Sequence, residues 1–258
     1  MTSLPTDASK LDAALGASST GAVKILLVYT TDTNSTRQMA DSIAAGVRSI
    51  PEVELDVTLL ATGLEVQSTD LGNYDGLIVG TPVRHRNMHH RIKLFVERTI
   101  EALWLTDEMV GMTGGVFSVG GGHGNSGAGV EQCQLGLWAA MAANGMVLVP
   151  LPKITPGADH AGCHWGPSGR SAGTKLEPQW LAPEALEAGF HHGANVARVT
   201  LALKAQRASL FARGNQTPSA ELLPSFIKEP NPFNAQEPPA HDANPLYRRQ
   251  PHPQSGGV

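Results

Sequence analysis

Three nearly continuous apolar runs, residues 23–29 (VKILLVY), 76–80 (GLIVG) and 115–119 (GVFSV), each end in a loop that leads on toward a helix-length segment. A strand with no polar face must be covered on both sides, which is the situation of a central strand in a parallel sheet. Val53, Leu55, Val57 and Leu59 alternate as in a half-exposed outer strand, and residues 146–149 (MVLV) supply a fifth. Helices are expected between them. One starts with Ser35 as its cap and Gln38 at its third position, with Met39, Ile43, Ala44 and Val47 on one face before Pro51. A second runs from about Met88 to Ala102 with Ile92, Phe95, Val96 and Thr99 inward, a third covers 131–143, and a fourth covers 183–206 with Pro183 in its first turn. Five strands alternating with helices need right-handed crossovers, and so predict a doubly wound parallel α/β sheet whose ligands sit beyond the carboxyl ends of the strands.

Composition sets limits on this picture. The chain has 258 residues, 41% hydrophobic and 16% charged, enough for one packed domain with tails and incompatible with disorder throughout. A formal charge of -4 argues against nucleic acid or an anionic membrane as the main partner. Cys133 and Cys163 give neither a disulfide framework nor a zinc-site spacing. No stretch approaches the roughly 20 apolar residues of a membrane span, and no signal-peptide run opens the chain, so the reading is a soluble cytoplasmic protein. Residues 1–21 read as a flexible leader with a short helix around Asp12, 22–206 as the domain, and 207–258 as a tail. From Gly214 onward nine of the eighteen prolines occur, so the tail cannot form a conventional core; residues 222–227 and 246–247 are its candidate docking points.

The loops after the strands carry the chemistry. Directly after the first strand come Thr31, Asp32, Thr33, Asn34, Ser35 and Thr36, and the helix begins at once. A helix start offers unpaired backbone N–H groups and the positive end of the dipole, to which Thr33, Ser35 and Thr36 add hydroxyls, so this loop suits a phosphate. Neither a Gly-Lys-Ser/Thr ending nor G-x-G-x-x-G is present, which favours a monophosphate such as that of FMN over a nucleoside triphosphate or a Rossmann dinucleotide. The competing reading is a Thr-rich capping loop with no ligand.

After the third strand, Pro82, Val83, Arg84, His85, Arg86 and Asn87 could form a stiff backbone wall whose N–H and C=O groups pair with a flat heteroaromatic ring. After the fourth, Ser118, Val119, Gly120, Gly121, Gly122, His123, Gly124 and Asn125 allow close backbone approach. Two such loops could sandwich the ring.

These residues resemble the WrbA-type NAD(P)H:quinone oxidoreductases of the flavodoxin superfamily. Residues 80–88 (GTPVRHRNM) resemble that family's G-T-P-T-R-F-G-N-M; Leu103-Trp104, Gly111, Val116-Phe117-Ser118, Glu131-Gln132, Trp138, Gly145-Met146-Val147 and Val149-Pro150 follow at its spacing; His164-Trp165-Gly166 resembles its P-Y-G loop. The similarity runs from about residue 23 to 205. It implies a flavodoxin-like fold with sheet order 2-1-3-4-5, bound FMN, NAD(P)H as co-substrate, a quinone-like acceptor reduced by ping-pong exchange, and a homo-oligomer, dimer or tetramer, in which a neighbour helps wall the site. By position, residues 31–36 would hold the phosphate, 82–87 the ring, and Ser118 to Gly122 its other edge. Trp104 would line the acceptor pocket, Asn144 takes the place of an active-site histidine, and His85 or His123 could protonate the acceptor oxygen. Arg84 could stabilise negative charge on the reduced ring or bind a nicotinamide phosphate.

Departures from the family pattern include Asn34 for a phosphate-loop glycine, His85 for Phe, Arg86 for Gly, and a glycine loop about four residues longer; Asn is the residue next most tolerant of positive φ. The histidines His85, His89, His90, His123, His160 and His164 invite a metal reading, but with two cysteines and no carboxylate pair no ligand set emerges. His191 and His192 fall on a helix expected at the surface, and Met39 and Met88 in the core. Two alternatives stay open: a flavodoxin-type electron carrier, which would present a strongly acidic face, or an FMN-binding regulatory or interaction protein with no substrate of its own, and a scaffold without FMN that makes contacts through its tail.

Overall fold

The computed structural model describes residues 22–207 apart from Leu105, Asn125 and Gly162. In chain order it contains β1 (Val23–Tyr29), α1 (Ser35–Arg48), β2 (Val53–Leu59), α2 (Ser68–Leu71), β3 (Gly76–Arg84), β4 (Asn87–Met88), α3 (His90–Phe95), a π-helical stretch (Val96–Ile100), α4 (Glu101–Trp104), β5 (Thr113–Gly120), α5 (Val130–Ala143), β6 (Val147–Leu148), α6 (Ala158–Ala161), β7 (Ser168–Arg170) and α7 (Pro183–Lys204). The leader with its expected helix near Asp12 and the tail segments 222–227 and 246–247 lie outside the described residues.

The sheet follows the path β2-β1-β3-β5-β6, all parallel, which is the expected 2-1-3-4-5 order. Two short strands raise the count to seven: β4 turns back antiparallel on β3, and β7 pairs parallel with β5. β6 meets Thr113 and Gly114 at the start of β5, whereas β7 meets Ser118, Val119 and Gly120 at its end. The fifth position in the sheet is thus shared by two pieces separated by residues 149–167, and the expected strand over 146–149 shrinks to two residues.

Alternate side chains of the central strands feed two cores. Ile25, Leu27, Tyr29, Ile78 and Phe117 pack with Met39, Ile43, Val47 and Val196 from α1 and α7. Leu26, Val28, Leu77, Val79 and Val116 pack on the other face with Ile92, Phe95, Leu137 and Met141. Fully burying a side chain of this size contributes about 2 kcal/mol, so the two layers dominate the folding energy. On the first face α1 and α7 approach until their backbones touch: a Cβ built on Gly46 would lie 1.8 Å from the Phe190 carbonyl oxygen, and one on Gly193 2.1 Å from that of Ile43.

Three local expectations need correction. Ser35 is the first helical residue, not the cap; Asn34 precedes it at φ 63° without a side-chain cap bond, because its left-handed backbone turns the loop one residue later. The helix expected from Met88 begins at His90, since Asn87 and Met88 pair back onto β3. His192 is completely buried, because α7 faces the sheet with the stripe that includes Ala188, Val196 and Thr200 as well as the histidine. No helix among the described residues is long and apolar enough to cross a membrane.

Candidate functional site

At the carboxyl ends of the strands, where the path turns from β1 to β3, a cleft of about 480 Å³ opens between four chain segments. Its size and position match a small-molecule site at a topological switch point. The loop after β1 contributes Asp32, Thr33 and Ser35, and α1 adds Gln38. The end of β3 contributes Pro82, Val83 and Arg84, and the end of β5 contributes Val119, Gly120 and Gly121. A fourth wall, residues 171–180, brings Ser171, Ala172, Leu176, Pro178, Gln179 and Trp180.

Ser35 lies at the N-terminus of α1, its Oγ 3.4 Å from that of Thr33, and the first intrahelical bond runs from the Gln38 N–H to the Asn34 carbonyl. The N–H groups ahead of Gln38 therefore have no acceptor within the helix. The hydroxyl of Thr31, in the same loop, is buried without a hydrogen-bond partner among the described residues. This end of the cleft presents donors of the kind that suit an anion.

Asp32 is the exception, a carboxylate in a loop suited to negative ligands. Arg84 donates to it, Arg91 Nη1 lies 3.6 Å from its other oxygen, and His89 Nε2 lies 3.4 Å away. The Arg84 hydrogen bond, working against burial, holds the Asp32 carboxyl below the usual carboxylate range. His89 is buried; its Nδ1 accepts the Arg91 N–H at 3.2 Å, leaving Nε2 as the protonated nitrogen that faces Asp32. Burial pushes its pKa down, so it is neutral near pH 7, and the cluster carries two arginines against one carboxylate. Asp32 ties the loop after β1 to β3 and α3.

β3 and β4 form a hairpin whose two central residues, His85 at φ 46° and Arg86 at φ 62°, both have left-handed backbone. That pair of signs is the requirement of a type I′ turn, usually met by Asn-Gly, and non-glycine residues hold it at a cost. The neighbouring glycine loop braces it: a Cβ on Gly129 would lie 2.4 Å from the Arg86 Cα. Asn87 Oδ1 accepts from the Met88 N–H at 2.8 Å, which also serves the hairpin.

Several candidate residues stand away from the cleft lining. Ser118 is fully buried; its hydroxyl donates to the Val130 carbonyl at 3.0 Å and accepts from Gln134 Nε2 at 3.1 Å, so it locks α5 onto β5. Thr36 faces the core. Thr31, Asn34, Arg86, Asn87 and Gly122 belong to the surrounding loops without lining the cleft. Neither do any of the four side chains placed in catalytic positions by resemblance. His85 and His123 are exposed on the adjoining loops. Trp104 ends α4, and Asn144 follows α5, where Gly145 accepts from the Gly111 N–H ahead of β5; both lie at the amino end of the sheet, opposite the cleft. Asn144 Nδ2 donates to the Ala140 carbonyl at 2.9 Å and serves as a helix end. Among the described residues no three His, Cys, Asp or Glu side chains stand together as metal ligands.

The segment 171–180 was missed by sequence reasoning. It hangs from β7 and is closed by the antiparallel bridge between Ala172 and Pro178. Gln38 Oε1 accepts from the Leu181 N–H at 3.3 Å and fastens its far end to α1. Trp180, 78% exposed, projects at the mouth of the cleft. The short motif Gln-Trp after a proline was the available signal, but nothing local says which loop it meets.

No model of a known protein family matches the chain. Among solved structures, the flavodoxin, WrbA-like protein from Agrobacterium tumefaciens aligns with a TM-score of 0.54 at 18% identity, covering 70% of this chain and 98% of that one. An oxidised flavodoxin 2 from Bacillus cereus aligns at 0.49 with 18% identity, covering 69% and 99%. A flavodoxin from the domain Archaea does so at 0.49 with 17% identity, covering 69% and 99%. Strand order, the place of the cleft and the first of these alignments agree that the described domain has the flavodoxin-like fold.

Proposed function

We infer that this chain binds FMN in the cleft and acts as a flavin-dependent oxidoreductase, passing two electrons from NAD(P)H to a quinone or similar small acceptor. The observation that carries the reading is the pairing of an anion-ready helix start, with Ser35 and Thr33 on the cleft wall, and a neighbouring wall made by the adjoining ends of β3 and β5, with Pro82, Val83, Gly120 and Gly121. A phosphate at the start of α1 and a flat ring against this wall are the two halves of FMN.

In this reading the α1 N–H groups with Thr33 and Ser35 would hold the phosphate, and Arg84 would add positive charge beside it. The backbone at 82–83 and 120–121 would fix the ring plane, and the indole of Trp180 would shield the ring from water. FMN would supply the electron chemistry, accepting hydride from the nicotinamide and reducing the acceptor afterwards. The reading includes a homo-oligomer, in which Trp104, 56% exposed and remote from the cleft of its own chain, would reach the acceptor space of a neighbouring copy.

An absorbance spectrum taken with added FMN, then with NADPH under anaerobic conditions, then with benzoquinone, tests the proposal. Flavin bands that bleach and return support the reductase; bound flavin that never bleaches supports the electron carrier; no bound flavin ends the reading. Ser35→Ala is expected to weaken FMN binding about tenfold, the loss of one hydrogen bond to a charged group, with the melting temperature of the free protein unchanged. Quenching of FMN fluorescence on titration measures it, and an unchanged affinity would remove Ser35 from the phosphate site.

A further inference from the structure

Arg170 closes β7, and its guanidinium reaches across to the glycine loop. Nε donates to the Ala172 carbonyl at 2.7 Å and Nη2 to those of Gly122, at 3.0 Å, and Gly124, with longer approaches at 3.4 Å from Nη2 to Gly173 and from Nη1 to Ser126. Every acceptor is a main-chain carbonyl. None of the ion pairs among the described residues involves Arg170.

The loop it holds needs holding. Gly120, Gly121, Gly122, Gly124, Gly127 and Gly129 fall within ten residues, and each loses more conformational freedom on ordering than any other residue type. Gly122 and Gly124 sit at φ 67° and 62°, so no repeating ladder fixes their carbonyls. The backbone adds two ties, from the Gly124 N–H to the Thr174 carbonyl at 2.8 Å and from the Ser171 N–H to that of Gly120 at 3.2 Å. The planar fork of an arginine spreads five donors over three nitrogens and so reaches carbonyls on separate segments, whereas the three donors of a lysine radiate from one nitrogen. Ser171 and Ala172, next to Arg170, line the cleft, as do Gly120 and Gly121.

We propose that Arg170 is the positioning residue of the cofactor site: it staples the glycine loop to the 171–180 segment, preforming the ring-binding wall and placing near it a positive charge that has no acidic partner among the described residues. The proposal rests on the FMN reading for its ligand, while the staple itself belongs to the free protein.

The test compares the whole chain with Arg170→Gln and Arg170→Lys. In the free proteins, hydrogen exchange of the glycine-loop amides is expected to quicken at least about tenfold in Arg170→Gln, the worth of one charge-assisted hydrogen bond, with the sheet amides unchanged. FMN dissociation constants are expected to rise at least about tenfold in Arg170→Gln and less in Arg170→Lys. The midpoint potential of bound FMN is expected to become more negative in Arg170→Gln and to stay near the parent value in Arg170→Lys, because a nearby cation favours the added negative charge and a mere loss of rigidity does not alter that charge. Unchanged loop exchange, or FMN affinity within twofold of the parent in both variants, overturns the proposal. A parent protein that takes up no FMN ends the function reading and the cofactor role with it, while the exchange comparison still decides the staple. Should Arg170→Gln fail to fold, Arg170→Lys, which keeps the charge and loses the fork, decides by the same exchange and affinity criteria.

Discussion

Gly46→Ala and Gly193→Ala are each expected to destabilise the protein by about 3 kcal/mol or more, a drop of about 6–12 °C in melting temperature for a domain of this size. The new Cβ would lie 1.8 Å from the Phe190 carbonyl oxygen in the first case and 2.1 Å from that of Ile43 in the second. Both obstacles are backbone, so no rotamer change relieves them. The helices must move apart, and the core between Met39, Ile43 and Val196 opens with them. This outweighs the roughly 1 kcal/mol by which alanine is the better helix former. Gly189→Ala is the control on the same helix: its Cβ would meet the Met39 sulfur at 2.6 Å, the flexible part of a side chain that can swing aside. Thermal unfolding followed by circular dichroism should separate the two classes. A Gly193→Ala protein melting within 2–3 °C of the parent, less than ~1 kcal/mol, would mean that the helix backbones do not meet there.

The second large effect concerns acid. His192 is fully buried against Gly115 and Val196, and neither ring nitrogen has a partner among the described residues. Burial pushes its pKa from 6.5 down to about 4. Below the ordinary histidine range the unfolded chain takes up a proton that the folded chain refuses. Its contribution is fully present above pH 6.5, declines as the pH falls, and is gone below about 4, a loss of order 3 kcal/mol for a shift of this size. His192→Leu removes the titrating group and an unsatisfied buried donor together, so it should flatten the acid limb of the stability curve and leave the protein no weaker at pH 7.5. Urea midpoints at pH 7.5, 6, 5 and 4.5 measure this. A parent and a variant that fall in parallel would show that His192 does not carry the acid sensitivity.

What the sequence made legible was local. The apolar runs at 23–29 and 76–80 announce buried strands by composition alone, and the hydroxyls at 33, 35 and 36 mark a helix start, so the strands and the loop ahead of α1 could be read without neighbours, whereas the sheet order came from the resemblance. Asn34 reads the same way, since its tolerance of positive φ is a property of the residue. His192 was misplaced because a histidine on a helix rich in alanine reads as a polar position, and only the approach of α7 to the sheet decides otherwise. Arg170 and Trp180 stayed hidden for a related reason: their roles depend on β7 joining the end of β5, a pairing between segments about fifty residues apart. Trp104 and Asn144 show the opposite limit: resemblance assigns them to an acceptor pocket, yet within one chain they do not line the cleft, so that assignment depends on a neighbouring copy that no single sequence displays.

The divided fifth strand has a consequence for how the molecule meets copies of itself. A continuous outer strand presents a row of free N–H and C=O groups, a template on which a further chain can add. Here that border consists of a two-residue piece and a three-residue piece with a helical turn between them. Neither is long enough to seed a ladder, so this side of the sheet protects the protein against edge-to-edge aggregation by interruption rather than by charge.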